Sequence, residues 1–336
     1  MEGSHYGTGY FSEMHLTAWR EQKNAKVVSM CDLNYEKLVG RARQFGIPEQ
    51  HLYTSPEEML EKEQIDIIDI ITGPESHPSL VKLAANAKKH MLCQKPFAVS
   101  QEKAEEMVGI AKNAGVRLMV TENWRWYPHL QYLKGIIDSD IVGNINFVKY
   151  LNNFYFTPLM NSKDIKQPYF KNMPKLLTYE MGTHWFDVWR FLFGEPNRLY
   201  AELKKVSPYI VGDDLGTVLI GHDDFHGIME MSWASRRNLT TPKQEQLLIE
   251  TDRNSIIIYE NGLTKLIDQR GETILYNQII KNSKLESFIS LQRHFLSCLE
   301  SGEEFQTSGA DNLKTLRLVF SAYESSANKE VIRLPL

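Results

Sequence analysis

Glu180, His184 and Asp187 recur at i, i+4 and i+7 in the run Glu180-Met181-Gly182-Thr183-His184-Trp185-Phe186-Asp187. On a helix that spacing puts three ionisable side chains on one face. Trp185, Phe186, Val188, Trp189, Phe191 and Leu192 make up much of the segment, so the helix is expected to be buried on most sides. Buried ionisable groups need partners or a cavity, and a histidine beside carboxylates is the usual general base near neutral pH. A purely structural polar network fits Asp187 equally well. A zinc site is the third reading, but no second His or Cys cluster accompanies the pair, and no metal is expected.

A second candidate is Gln94-Lys95-Pro96, directly after the apolar run Met91-Leu92-Cys93. A lysine at the carboxyl end of a sheet strand lies where open α/β sheets bind ligands. There Lys95 can donate to a substrate hydroxyl and favour its alkoxide. The alternative is a solvated surface lysine. A third candidate, Gly7-Thr8-Gly9-Tyr10-Phe11-Ser12, matches the dinucleotide turn G-x-G-x-x-small and opens a helix running to about Glu21. The first glycine permits the tight turn, the second lets backbone approach a pyrophosphate, and the helix N-terminus favours the anion. Asp32 follows at the end of the next strand, near the spacing expected of a ribose-binding acid. A carboxylate there accepts from ribose hydroxyls and repels a 2′-phosphate, so NAD is favoured over NADP.

The surrounding elements suit these roles. Lys26–Cys31, Ile65–Ile71, Met91–Cys93 and Arg117–Thr121 read as strands, separated by helical segments that include Tyr35–Phe45 and one capped by Ser55-Pro56. Such alternation means right-handed βαβ units and a parallel sheet. Met1 to Tyr6, which should supply the first strand, is too polar for a central parallel position. That strand is therefore expected to be incomplete or irregular, with Gly3-Ser4-His5 foreign to a core strand and the chain starting about one strand late. Near residue 125 the pattern changes to strands: Asn144–Phe156, Arg198–Val206, Leu215–Ile220, Gly227–Trp233 and Gln246–Thr251. Ser255–Tyr259 and Thr264–Ile267 flank the hairpin signal Asn261-Gly262. Two amphipathic helices close the chain.

The 336 residues suggest about two domains. With 38 basic and 42 acidic residues the net charge is -4, which argues against nucleic acid or a membrane surface as partner. No apolar stretch is long enough to span a bilayer, and the short polar opening predicts no secretory leader. Cys31, Cys93 and Cys298 form no CxxC pair and read as reduced thiols in a cytoplasmic protein.

Together these motifs resemble the Gfo/Idh/MocA family of glucose–fructose oxidoreductase and inositol dehydrogenase. The resemblance spans almost the whole chain. Beside the glycine turn, Asp32, Lys95-Pro96 and Gly182-x-His184-x-x-Asp187, it includes Ile67 to Pro74 followed by His77, Asn123-Trp124-Arg125-Trp126-Tyr127-Pro128 and Thr307-Ser308-Gly309-Ala310-Asp311. It implies an α/β fold: an N-terminal Rossmann domain with a doubly wound parallel sheet over 1–124, and a C-terminal α+β domain with a large open, mostly antiparallel sheet over 125–336. That sheet commonly joins subunits, which implies a homodimer or homotetramer. The activity implied is hydride transfer between NAD and a hydroxyl carbon of a sugar, sugar derivative or cyclic polyol. Lys95 would hydrogen-bond the reacting hydroxyl, His184 would take its proton, and Glu180 would bind substrate or orient His184. Gly7, Gly9, Tyr10, Phe11, Asp32, Thr72, His77, Gln94 and Lys95 would hold the cofactor. Arg125, Trp126, Tyr179 and Asp187 are candidates for substrate contact, since sugar faces pack well on rings.

Two positions depart from the family pattern. Gln94 stands where the family usually has Glu, and Glu180 where it commonly has Asp. With the atypical N-terminus, these departures motivate an alternative, a non-catalytic NAD-binding sensor on the same fold; a further reading keeps the fold but uses NAD in a redox-assisted glycosidase.

Overall fold

The computed structural model describes residues 1–334 except 140, 164, 166, 238–244 and 279. In chain order the first elements are β1 (Glu2–Tyr6), α1 (Ser12–Arg20), β2 (Lys26–Cys31), α2 (Tyr35–Phe45), β3 (Leu52–Tyr53), α3 (Pro56–Lys62), β4 (Ile67–Ile70), α4 (His77–Asn86), β5 (His90–Gln94), α5 (Gln101–Ala114) and β6 (Leu118–Thr121). There follow α6 (Pro128–Ile137), β7 (Ile145–Asn153), α7 (Leu177–Glu180), α8 (Gly182–Phe193), β8 (Arg198–Lys204), β9 (Leu215–Gly221), β10 (His226–Ser232), β11 (Glu245–Thr251), β12 (Ser255–Tyr259), β13 (Thr264–Asp268) and β14 (Gly271–Tyr276). The chain closes with α9 (Ser283–Ser301), α10 (Gly309–Asn328) and β15 (Ile332–Arg333). These form two compact units: Met1–Trp126 with Asn282–Arg317, and Tyr127–Lys281 with Leu318–Leu336.

The first unit is built on a six-stranded parallel sheet in the order β3-β2-β1-β4-β5-β6. Helix ends follow their capping residues. Asn34, Ser55 and Ser100 accept the amides of Lys37, Glu58 and Lys103, and Gly46 and Gly115 close α2 and α5 in the left-handed region.

Two expectations are corrected here. The polar N-terminus does form a strand, and a central one, between β2 and β4. Its polar side chains meet polar groups on its neighbours: Ser4 Oγ bonds Ser29 Oγ, and His5 lies 3.9 Å from Asp69. A register shift between Gly3 and Ser4 is the sole irregularity in its pairing with β2. Further, residues 282–317, read with the second domain, pack with the first unit. The reason is apolar: Leu291, Phe295 and Leu296 of α9 share a core with Trp19, Leu92, Met119 and Trp126, while Phe288 and Ile289 bury Ala18.

The second unit carries a nine-stranded sheet, β14-β13-β12-β11-β7-β10-β9-β8-β15, antiparallel except where β10 runs parallel to β7. Strand alternation makes one face a core of Val148, Val218, Ile220, Met229, Ile249 and Ile256. On the other face Leu219 pairs with Ile228, Ile228 with Lys149, Lys149 with Leu248, and Leu248 with Ile257. Asn261-Gly262 turns β12 into β13 as expected, with Gly262 at φ +83° and its amide donating to Tyr259 O. Against the buried face lies α8, whose Trp185, Phe186, Val188, Trp189 and Leu192 are at most 2% exposed. A Cβ on Gly227 of β10 would collide with the Trp189 ring, so that position accepts only glycine.

Candidate active site

The glycine turn has the geometry a dinucleotide requires. Gly7 sits at φ +97°, and a Cβ there would lie 2.9 Å from Ile71 O. Beside Gly9, a Cβ would meet only Ile71 O, at 3.8 Å, so the backbone there is open to close approach. Ser12 is fully buried at the start of α1 and its hydroxyl donates to Gly9 O at 2.8 Å. Asp32 holds the turn from β2: Oδ2 accepts from the Thr8 amide and hydroxyl at 2.6 and 2.7 Å, and Oδ1 from the Asn34 amide at 2.7 Å. Tyr10 is exposed, while Phe11 stacks on Phe288 and lies under the Lys284 ammonium at 4.6 Å. These groups fit a dinucleotide: a bare backbone, a helix N-terminus and a carboxylate at the ribose end.

Thr72 and His77 follow β4. The Thr72 hydroxyl accepts from Ser76 at 2.7 Å. His77 is fully buried, with Nδ1 2.9 Å from Phe97 O and Nε2 3.1 Å from Thr72 O. It therefore braces the turns after β4 and β5 from behind, rather than presenting its ring to a ligand. Burial lowers its basicity, against the pull of the two carbonyls.

Lys95 leaves β5 through a cis peptide bond to Pro96. Its amide donates to Gln94 Oε1 at 2.7 Å, and Gln94 Nε2 lies 3.0 Å from His15 Nε2. His15 Nδ1 in turn lies 2.9 Å from Asp69 Oδ2, which also accepts from Trp19 Nε1 at 2.7 Å. Burial acts to raise the Asp69 carboxyl, but His15, His5 and Trp19 bring it below the ordinary carboxylate value. His15 and Asp69 went unread in the sequence. Their signal is the acid Asp69 inside the strand run Ile65–Ile71. Lys284 also went unread; burial and the neighbouring Lys95 charge lower its basicity.

Arg125 and Trp126 lie in the interior of the first unit. Arg125 is 5% exposed, donates to Gln306 O at 2.9 Å and pairs with Asp311 at 3.3 Å. Trp126 packs on His294 with ring centroids 4.7 Å apart. Both thus have packing or polar partners within the first unit.

In the second unit, Tyr179, Glu180 and His184 are 5%, 7% and 5% exposed, and Asp187 is fully buried. The expected single helix is interrupted. Glu180 ends α7, Met181 intervenes at φ −106°, and His184 lies in the first turn of α8. Gly182 weakens helix propensity at the break, and α7 has its own anchor, Asp213. That buried carboxylate accepts from the Leu176 amide at 2.9 Å, the Thr178 amide at 2.9 Å, the Thr178 hydroxyl at 2.6 Å and the Tyr323 hydroxyl at 2.7 Å. Asp213 thus sets the position of Tyr179 and Glu180. Tyr179 rests on Phe320, with centroids 6.2 Å apart. Nothing in the local sequence pattern marks Asp213, because its partners lie 35 and 110 residues away. Among the described residues, no group of three or more His, Cys, Asp or Glu could hold a metal ion.

Comparison with known proteins accords with this geometry. Residues 6–122 match the family model described as oxidoreductase family, NAD-binding Rossmann fold, and residues 130–257 match the GFO/IDH/MocA C-terminal domain. The chain is 34% identical to D-apiose dehydrogenase of Paraburkholderia graminis, over 99% of this chain and 89% of that protein. It is 32% identical to D-apiose dehydrogenase of Rhizobium rhizogenes, over 99% and 97%. Among solved structures, an oxidoreductase from Agrobacterium radiobacter in complex with NAD+, L-tartaric acid and magnesium superimposes with a TM-score of 0.90 at 31% identity, covering 99% of this chain and 98% of that one. The chain belongs to the Gfo/Idh/MocA family of oxidoreductases and carries its NAD-binding Rossmann domain and its C-terminal domain.

Proposed function

We propose that this oxidoreductase is an NAD-dependent dehydrogenase of CH–OH groups in a sugar, sugar derivative or cyclic polyol. The observation that carries the reading is the fixed backbone of Lys95 at the end of β5, in a domain whose glycine turn and Asp32 are built for a dinucleotide. Bound NAD supplies the hydride acceptor. Lys95 donates to the reacting hydroxyl, and His184 takes its proton, with Glu180 as its orienting or substrate-binding acid. D-apiose and myo-inositol are the first substrates to try, because relatives of this chain are named for them. The test is a panel of aldoses and inositols with NAD, read by the absorbance of reduced nicotinamide. Turnover that falls roughly 10²–10⁴-fold in His184→Ala supports the assignment. No turnover of any panel member, with intact NADH binding, defeats it in favour of a sensor. Release of an aglycone without net NADH would instead indicate a redox-assisted glycosidase. Two of the three features that motivate the sensor reading have new explanations: β1 is formed, and Gln94 has a partner in His15.

The open face of the second unit's sheet supports self-association as a homodimer or homotetramer. Leu219, 48% exposed, lies in register with Ile228 on that face, and such surface is usually covered by a partner. Leu219→Glu is expected to shift the assembly toward monomer by light scattering. Three buried, unbridged cysteines support a reducing, cytoplasmic setting.

A further inference from the structure

We infer that Asp69, His15 and Gln94 form a one-directional hydrogen-bond chain that positions Lys95, with residues 15 and 94 as a matched pair. The inference rests on the reading of Lys95 as the residue that meets the reacting hydroxyl.

The direction follows from the ends of the chain. A backbone amide can only donate, so Lys95 N–H makes its partner on Gln94 the carbonyl Oε1, at 2.7 Å. The other end of the carboxamide is then NH₂, which donates across 3.0 Å to His15 Nε2. A ring nitrogen that accepts carries no proton, so the His15 proton sits on Nδ1. There it donates to Asp69 at 2.9 Å. Trp19 Nε1 supplies a second donor to the same carboxylate oxygen. Asp69, His15 and Gln94 are 2%, 0% and 6% exposed, so water is largely excluded from competing.

Among the described residues, the surroundings leave His15 no other proton-exchanging partner of comparable geometry. His5 faces Asp69 at 3.9 Å, and its own basicity is depressed to about 4 by burial. Phe288 packs on the His15 ring at 4.9 Å, and Gln292 donates to the His15 carbonyl at 3.2 Å. Cys93 lies in register with Ile70 rather than Asp69, and burial holds its thiol protonated. Arg41 acts on His5 only at long range. Lys284 stands near Lys95 at the far end.

A glutamate at 94 would not fit this chain as it stands. Its carboxylate would face the His15 Nε2 lone pair, and the pair would have to bind one extra proton. Gln94 removes that proton from the circuit. The placement of Lys95 thereby needs no proton shared between residues 15 and 94.

The test is ¹⁵N NMR of histidine-labelled protein without substrate, alongside kinetics. In the parent, His15 is expected to show a protonated Nδ1 and an unprotonated Nε2. In Gln94→Glu the shared proton appears on or beside Nε2 and titrates, and the Lys95 amide resonance moves with it. The kcat/KM profile of that variant gains an additional alkaline limb at the same midpoint, falling about tenfold per pH unit above it. A parent His15 protonated at Nε2 overturns the chain's direction. A Gln94→Glu variant whose Lys95 amide does not follow the His15 titration overturns the positioning role. Absence of sugar or polyol turnover bears on the dehydrogenase assignment alone, since the two NMR readings need no substrate.

Discussion

Thr8 and Asp32 are joined twice, the amide and the hydroxyl of Thr8 both donating to Asp32 Oδ2 at 2.6 and 2.7 Å. The acid that the sequence assigns to the cofactor ribose is therefore also the tie that shapes the glycine turn.

Asp32→Ala removes both functions. Hydrogen bonds to a charged group are worth about 1.5–3 kcal/mol, so NADH affinity is expected to fall roughly 10–100-fold in a fluorescence titration. Because the negative charge is gone, NADPH affinity should fall less, and the ratio between the two cofactors should move toward NADPH.

Gly7→Ala tests the turn without touching charge. The added Cβ meets Ile71 O at 2.9 Å, and the residue must hold φ +97°. Strain of about 1–3 kcal/mol is expected. The measurable result is loss of NADH binding together with a lower unfolding midpoint.

Asp213→Ala strips one acceptor from four donors around α7. Removing a buried charged acceptor costs about 3–5 kcal/mol, and thermal unfolding should show it. Asp213→Asn keeps the shape and one acceptor oxygen. It should recover part of the stability while kcat stays reduced, because Glu180 lies at the end of the helix Asp213 anchors.

Acid should weaken the fold through its buried histidines. Burial holds His5 and His129 at about 4, below the ordinary 6.5. The unfolded chain then binds protons that the folded chain refuses, so stability is complete above 6.5 and is lost as pH falls from there toward 4. The slope is on the order of 1.4 kcal/mol per pH unit for each such group. Urea midpoints at a series of pH values measure it, and His129→Leu should flatten the dependence by about one proton.

Much of the fold was legible because it depends on local pattern. Apolar runs marked β2, β4, β5 and β6, and Ser55 and Asn261-Gly262 marked boundaries that the structure keeps. What was not legible depends on neighbours distant in sequence. The strand β1 looks too polar until Ser29 and Asp69 stand beside it, and nothing in Met1–Tyr6 announces them. The partner of Arg125 is equally hidden, since Asp311 lies 186 residues on. The strand β14 escaped notice because Gly271 to Ile274 are exposed and carry little alternation. The helix break at Met181 follows from Asp213, which no periodicity within 177–193 could reveal.

The return of residues 282–317 to the first unit bears on how the protein is made. A ribosome has released Met1–Trp126 long before it reaches α9, yet Trp19, Leu92, Met119 and Trp126 are buried in part by Leu291, Phe295 and Leu296 of that helix. The nucleotide-binding half is first in synthesis and cannot be first to finish. A nascent chain stopped after residue 126 leaves Trp19 and Trp126 without the cover of α9, and the cofactor domain is completed only once that helix has been made.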